Sequence, residues 1–78
     1  MFILRCYSKD LSHYMSIDKI ADKFSKLLDY KYLVLCSSNV KDYTIKATSK
    51  FEAYKAFIKL RNSLNKNLGV KFEKHTFV

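Results

Sequence analysis

The segment from Ser49 to Gly69 constrains this chain more than any other. Ser49-Lys50-Phe51-Glu52 matches a capping box, in which the Ser hydroxyl accepts from a free first-turn N–H and the Glu carboxylate reaches back. Behind it, Ala53, Ala56, Phe57, Leu60 and Leu64 recur at helical spacing and form one apolar stripe. The helix should end near Leu68, because Gly69 sits where a left-handed residue is wanted. Gly69 is the only glycine, and there is no proline, so the other elements must be joined by short polar loops.

Around this helix the pattern predicts five further elements. Residues 2–8 are rich in β-formers and read as a strand, and Lys9 to Met15 read as a polar loop. Ser16 resembles an N-cap, with Ile17, Ile20, Ala21, Phe24, Leu27 and Leu28 laying an apolar stripe along a first helix. Residues 30–37 read as a second strand. Asp42 to Thr48 alternates as a half-buried third strand, with Tyr43, Ile45 and Ala47 inward and Thr44 and Lys46 outward. Val70 to Phe77 reads as a fourth. The order β-α-β-β-α-β predicts an α+β, ferredoxin-like domain over residues 1–78: a four-stranded antiparallel sheet in order 4-1-3-2 with two helices on one face. A chain of 78 residues that is 49% apolar is too short for a multidomain enzyme and too apolar for a disordered basic tail.

That element order resembles RNA-recognition motifs. Lys41-Asp42-Tyr43-Thr44-Ile45-Lys46 can be laid over their third strand, and Glu52-Ala53-Tyr54-Lys55-Ala56 is similar to their second helix. The family faces its aromatic positions outward, whereas keeping Lys46 in water turns Tyr43 and Ile45 into the core. The resemblance therefore implies an architecture and carries over no base-stacking residue.

Charge is the strongest functional signal. Fifteen Lys and Arg against seven Asp and Glu leave +8, of which residues 41–78 hold +6. Lys55, Lys59, Asn62 and Lys66 share one face of the long helix. Like charges at that spacing repel, so the stripe does not serve the helix alone. On the expected fold, Arg5, Tyr7, Thr44, Lys46, Lys71 and His75 occupy the uncovered sheet face, a surface suited to single-stranded nucleic acid. Tyr32, Leu33, Val34 and Leu35 are apolar on both faces of a strand expected at the sheet edge. That marks them for homodimer pairing or for capture of another protein's strand.

Chemistry for catalysis is not visible. Neither His13 nor His75 stands at metal-ligand spacing, one glycine rules out a phosphate-cradling loop, and no serine has an adjacent base. Asp10 is a lone carboxylate past the first strand, and loop Asp residues usually serve turns. Cys6 and Cys36 fall inside strand-like runs, expected as buried free thiols in a cytoplasmic setting or in the cytoplasm of a host. No apolar run exceeds five residues, so no membrane span, signal segment or cofactor is expected.

Two functions follow as expectations. One is a non-enzymatic basic protein binding RNA or DNA through phosphate contacts from Arg5, Lys46, Lys71 and the helix lysines. The other is a phage- or virus-encoded inhibitor, a source suggested by the Lys-, Asn- and Tyr-rich composition. It would dock on an acidic or nucleic-acid-binding host protein by charge steering.

Overall fold

The structure, a computed structural model, describes residues 1–77. Its elements are β1 (Phe2–Tyr7), β2 (His13–Lys19), α1 (Asp22–Ser25), β3 (Tyr32–Ser38), β4 (Tyr43–Ala47), α2 (Lys50–Leu68) and β5 (Thr76–Phe77). The fold is α+β. Five antiparallel strands lie in the order β4-β3-β2-β1-β5, so the first four form a meander, and α2 packs against β2, β3 and β4.

The expected ferredoxin-like arrangement is corrected at its first helix. His13–Lys19 is a strand, the central one of the sheet, and only Asp22–Ser25 is helical. Two periodicities competed over these residues, and Ile17 satisfies both. The strand wins because its period-two partner, Met15, lies outside the helical stripe. Met15 pairs with Cys6 and Cys36, Ile17 pairs with Leu4 and Val34, and both Met15 and Ile17 are fully buried. Apart from half-buried Ile20, the remainder of the supposed stripe is left outside, with Phe24 and Leu27 53% and 83% exposed. With the first crossover helix gone, the chain needs no split βαβ topology, and the likeness to RNA-recognition motifs falls with it.

Residues 9–15 were expected as a loop, but they contain a hairpin turn. Leu11 N–H donates to Ser8 O at 3.0 Å and Ser8 N–H to His13 O at 2.9 Å. Asp10 ties the turn together: its Oδ1 accepts from Ser8 Oγ (2.8 Å), Ser12 N–H (3.0 Å) and Ser12 Oγ (2.6 Å). Such side-chain to backbone bonds are what favour Asp in turns.

The long helix conforms to its signals. Ser49 Oγ accepts from Glu52 N–H at 3.2 Å, and Glu52 Oε2 accepts from Thr48 N–H (3.2 Å) and Thr48 Oγ1 (2.6 Å), one residue before the cap. Gly69 closes the helix at φ +66°, while Val70 N–H reaches back to Leu64 O at 3.3 Å. Ala53, Phe57 and Leu64 are buried against Leu4, Cys6, Met15, Ile17, Val34 and Cys36, with Tyr43, Ile45 and Leu60 at the margins of the same cluster. Tyr43 and Ile45 thus face inward and Lys46 is exposed, as their alternation requires.

Two other expectations about strands are corrected. Tyr32, Leu33, Val34 and Leu35 lie on β3, which is bonded to β2 on one side and β4 on the other. It is an interior strand, so its main chain is not open to a second copy or another protein. Its two-faced apolarity has a simpler cause: Val34 is buried under α2, and Leu33 and Leu35 are half-buried on the other face.

The expected final strand over Val70–Phe77 survives only in part. Phe72 bridges to Ser8, and Thr76 and Phe77 pair with Arg5 and Leu4. Phe72 and Phe77 stand five positions apart and Leu4 and Ser8 four, so the segment carries one extra residue, a bulge that reverses side-chain parity.

Two residues stand against local preference. Leu11 adopts φ 61°, a left-handed conformation that penalises a Cβ, while its side chain is 77% exposed and buries little. Leu11→Gly should therefore raise stability in urea denaturation by about 0.5 kcal/mol net of the backbone entropy that glycine adds, seen as a higher midpoint. An unchanged or lower midpoint would count against strain at this turn. Ser16 is fully buried on β2, and its hydroxyl has no hydrogen-bond partner among the described residues. Ser16→Ala removes that unpaired group and should stabilise on the order of 1 kcal/mol in the same denaturation. A clear loss of stability would mean that the hydroxyl is satisfied.

Candidate functional site

The expected contact residues lie on opposite sides of the sheet. Because Leu4, Cys6, Ile45 and Ala47 turn toward α2, their alternates Arg5, Tyr7, Thr44 and Lys46 occupy the uncovered face. Lys55, Lys59 and Lys66 project from α2, on the face away from buried Ala53, Phe57 and Leu64. A flat partner on one side cannot reach the residues of the other.

The uncovered sheet face carries few uncommitted charges. Tyr7 stacks at a tilt on Tyr14, with ring centroids 4.8 Å apart. Lys46 places its ammonium 4.9 Å from the Tyr30 ring centroid, and Asp18 accepts the N-terminal amine at 2.6 Å. Leu33 and Leu35 occupy the middle of this face beside buried Ser16. The surface is mixed and only weakly basic.

Lys71 and His75 were expected on that face, and both are corrected to the helix side. His75 lies edge-on to Phe57 at 6.2 Å, with Nδ1 3.3 Å from Arg61 Nη1. The bulge before Thr76 accounts for His75, since one extra residue turns it over. Lys71 is held by its backbone carbonyl, which accepts from Lys9 N–H at 2.8 Å, and it lies beside the last turns of α2.

The helix side is the more basic surface. α2 alone carries five cationic side chains against one acidic, Glu52. Lys55 and Lys59 flank a shallow groove of about 620 Å³ that also includes Phe51, Tyr54, Ile58 and Asn62. Asn62 is shared with a second concavity of about 380 Å³, lined by Lys9, Arg61, Asn62, Asn65, Lys71 and Phe72. A continuous tract thus runs from the helix lysines into a cleft beside the hairpin turn.

Lys9, Arg61 and Asn65 belong to this tract but were not singled out from the sequence. Lys9 and Lys71 stand 62 positions apart, and only the bridge between Ser8 and Phe72 brings them together. Arg61 did carry a signal: it is one of only two arginines among fifteen basic residues.

Among the described residues no group of three or more His, Cys, Asp or Glu converges as a metal site. Cys6 and Cys36 are free and buried, and burial raises both thiols above their ordinary range. Cys6 donates its S–H to Glu73 O at 2.9 Å. His13 is engaged locally, with Nδ1 2.8 Å from Ser12 Oγ. Among the described residues no helix is long and apolar enough to cross a membrane. No protein-family model matches the chain, and no curated protein or solved structure matches it significantly.

Asp10 has a structural task. The Ser12 hydroxyl, then the Ser12 N–H and the Ser8 hydroxyl, hold its carboxyl at a pKa of about 2, against an ordinary 3.8. A depressed folded value means the carboxylate supports the turn above the unfolded value of 3.8 and stops doing so as pH falls through about 2. An NMR titration should show the Asp10 carboxyl with a midpoint near 2, and Asp10→Asn should flatten the acid limb of stability between those values. A midpoint near the ordinary value would remove this role.

Proposed function

We propose that this chain is a small, non-enzymatic nucleic-acid-binding protein that contacts phosphates through the solvent face of α2 and the adjoining cleft. The observation that carries this reading is the commitment of the charges. The ammonium groups of Lys55, Lys59 and Lys66 have no ion pair, hydrogen bond or aromatic partner among the described residues, and neither do those of Lys9 and Lys71. Lysines crowded on one face without internal partners raise the local potential and are compensated from outside. A phosphate backbone meets that need with little sequence preference, releasing counterions as it binds. The exposed Phe51 ring and the half-buried Tyr54, interleaved with the lysines, add faces on which unpaired bases can stack, which favours a single strand.

A second reading is docking on an acidic protein surface, in the manner of a phage- or virus-encoded inhibitor. It is favoured by the apolar strip of Phe51, 75% exposed, and Ile58, 41% exposed, between the same lysines. An aromatic anchor within a charged rim is also the anatomy of a protein interface.

Binding of a labelled single-stranded oligonucleotide across a salt series separates the two. The nucleic-acid reading expects a steep negative dependence of log affinity on log salt. Lys55→Gln with Lys59→Gln should make that slope shallower by roughly 1.4, the value for two lost single-strand phosphate contacts. Arg5→Gln with Lys46→Gln, on the far side of the sheet, should leave it unchanged. Absence of binding at micromolar protein and low salt would overturn this reading in favour of the protein partner.

A further inference from the structure

We propose that the cleft between the β1–β2 turn and the C-terminal half of α2 receives the terminal phosphate of a nucleic-acid strand. The strand's identity rests on the reading above, whereas the phosphate chemistry rests on the cleft itself.

Three segments distant in sequence build the cleft. The hairpin turn supplies Lys9, α2 supplies Arg61, Asn62 and Asn65, and the chain after Gly69 supplies Lys71 and Phe72. The Lys9 N–H to Lys71 O bond, at 2.8 Å, and the Ser8–Phe72 bridge hold the two lysine backbones side by side. Both ammonium groups stay exposed. Among the described residues no carboxylate lines the cleft, whose lining holds three cationic side chains and two carboxamides.

Arg61 is what distinguishes this cleft from a patch of surface lysines. Its Nη2 donates to Glu73 O at 3.2 Å and its Nη1 donates to His75 Nδ1 at 3.3 Å. Because a guanidinium can only donate, Nδ1 is the acceptor in that contact. The guanidinium also lies 5.8 Å from the Phe72 ring centroid, so the fork is anchored from behind. Two of its five N–H donors are engaged, and three are left for a ligand. Asn65 is similarly fixed, with Nδ2 donating to Val70 O at 3.0 Å, and the Asn62 amide has no internal partner among the described residues.

An oriented Arg with two flanking Lys suits a phosphate, and the charge count favours a monoester over a diester. A monoester carries close to two negative charges near neutral pH, and an internal diester carries one. Three cations match the charge of the former more closely. The cleft also lies at one end of the tract, joined to the lysine stripe through Asn62. A strand seated by its end in the cleft runs out along Lys59 and Lys55.

The test compares one short oligonucleotide, labelled internally, with a 5′-phosphate, a 3′-phosphate or free hydroxyls at both ends, at a single salt concentration. Wild-type protein should prefer one phosphorylated form over the hydroxyl form by about tenfold, the range expected for a charge-assisted contact. Lys9→Gln with Lys71→Gln, both at exposed positions, should weaken the phosphorylated form about tenfold more than the hydroxyl form and so remove the preference, with the hydroxyl form losing only the part of its affinity that internal phosphates draw from the cleft. Arg61→Lys, which keeps the charge and loses the fork, should reduce it.

Equal binding of all three forms by wild type would overturn the proposal and leave the nucleic-acid reading standing. So would a double variant that weakens all forms alike. Binding of none would overturn that reading instead. An added arm with adenosine 5′-monophosphate settles the source: amide shifts at Lys9 and Lys71 with a mononucleotide affinity equal to the oligonucleotide's would mean that no strand is recognised, which also overturns the proposal.

Discussion

Two rows of side chains running across four strands support everything else. Cys6, Met15, Cys36 and Tyr43 form one, and Leu4, Ile17, Val34 and Ile45 form the other. Together they make the apolar floor that Phe57, Ala53 and Leu64 cover. Their alignment depends on β2 being in register with both neighbours. A slip by one residue would place Tyr14, Ser16 and Asp18 beneath the helix, replacing apolar contact with polar groups that α2 cannot satisfy. The turn at Ser8–His13 sets that register locally, and the Asp10 carboxylate holds the turn. One exposed acidic side chain therefore acts on the core without touching it.

The division between what was legible in the sequence and what was not follows from locality. α2 could be bounded because its signals, the cap at Ser49, the stripe and Gly69, all lie within the element they define. The inward side of β4 could be assigned because Lys46 forces the parity of its neighbours. β2 could not, because Ser16 and Ile17 fit a helix start as well as a strand, and the deciding partners, Leu4, Cys6, Val34 and Cys36, are elsewhere in the chain. The strap after Gly69 failed for a related reason. An extra residue between Phe72 and Thr76 leaves no mark on composition or periodicity, yet it moves His75 from one side of the sheet to the other. The cleft was hidden by the same dependence on register.

The electrostatics are asymmetric in a way that composition alone does not convey. Among the described residues the only ion pair joins the N-terminal amine to Asp18, so no Lys or Arg is matched by a carboxylate within 4 Å. Several cations lie instead over aromatic rings: Lys23 on Phe24, Lys41 on Tyr43, Lys46 on Tyr30 and Lys50 on Tyr54. These contacts hold a charge in place without neutralising it. The self-repulsion of a net charge of +8 is borne by the folded state, where the lysines are closest together.

That repulsion links function to stability. An anion that binds only the folded arrangement of Lys9, Arg61 and Lys71 adds its binding free energy to folding. It also relieves the crowding of like charges along α2, where Lys55, Lys59 and Lys66 share one face. The two effects act at different places: the first requires the cleft and its oriented Arg61, and the second requires only a polyanion near the helix. Salt weakens the second strongly, because exposed charges are screened over about 8 Å at physiological ionic strength. The first persists further, since Arg61 is half-buried and held by Glu73 O and His75. On the proposed reading, a surface built in this way would gather a strand by diffuse charge and seat its end on a fixed guanidinium.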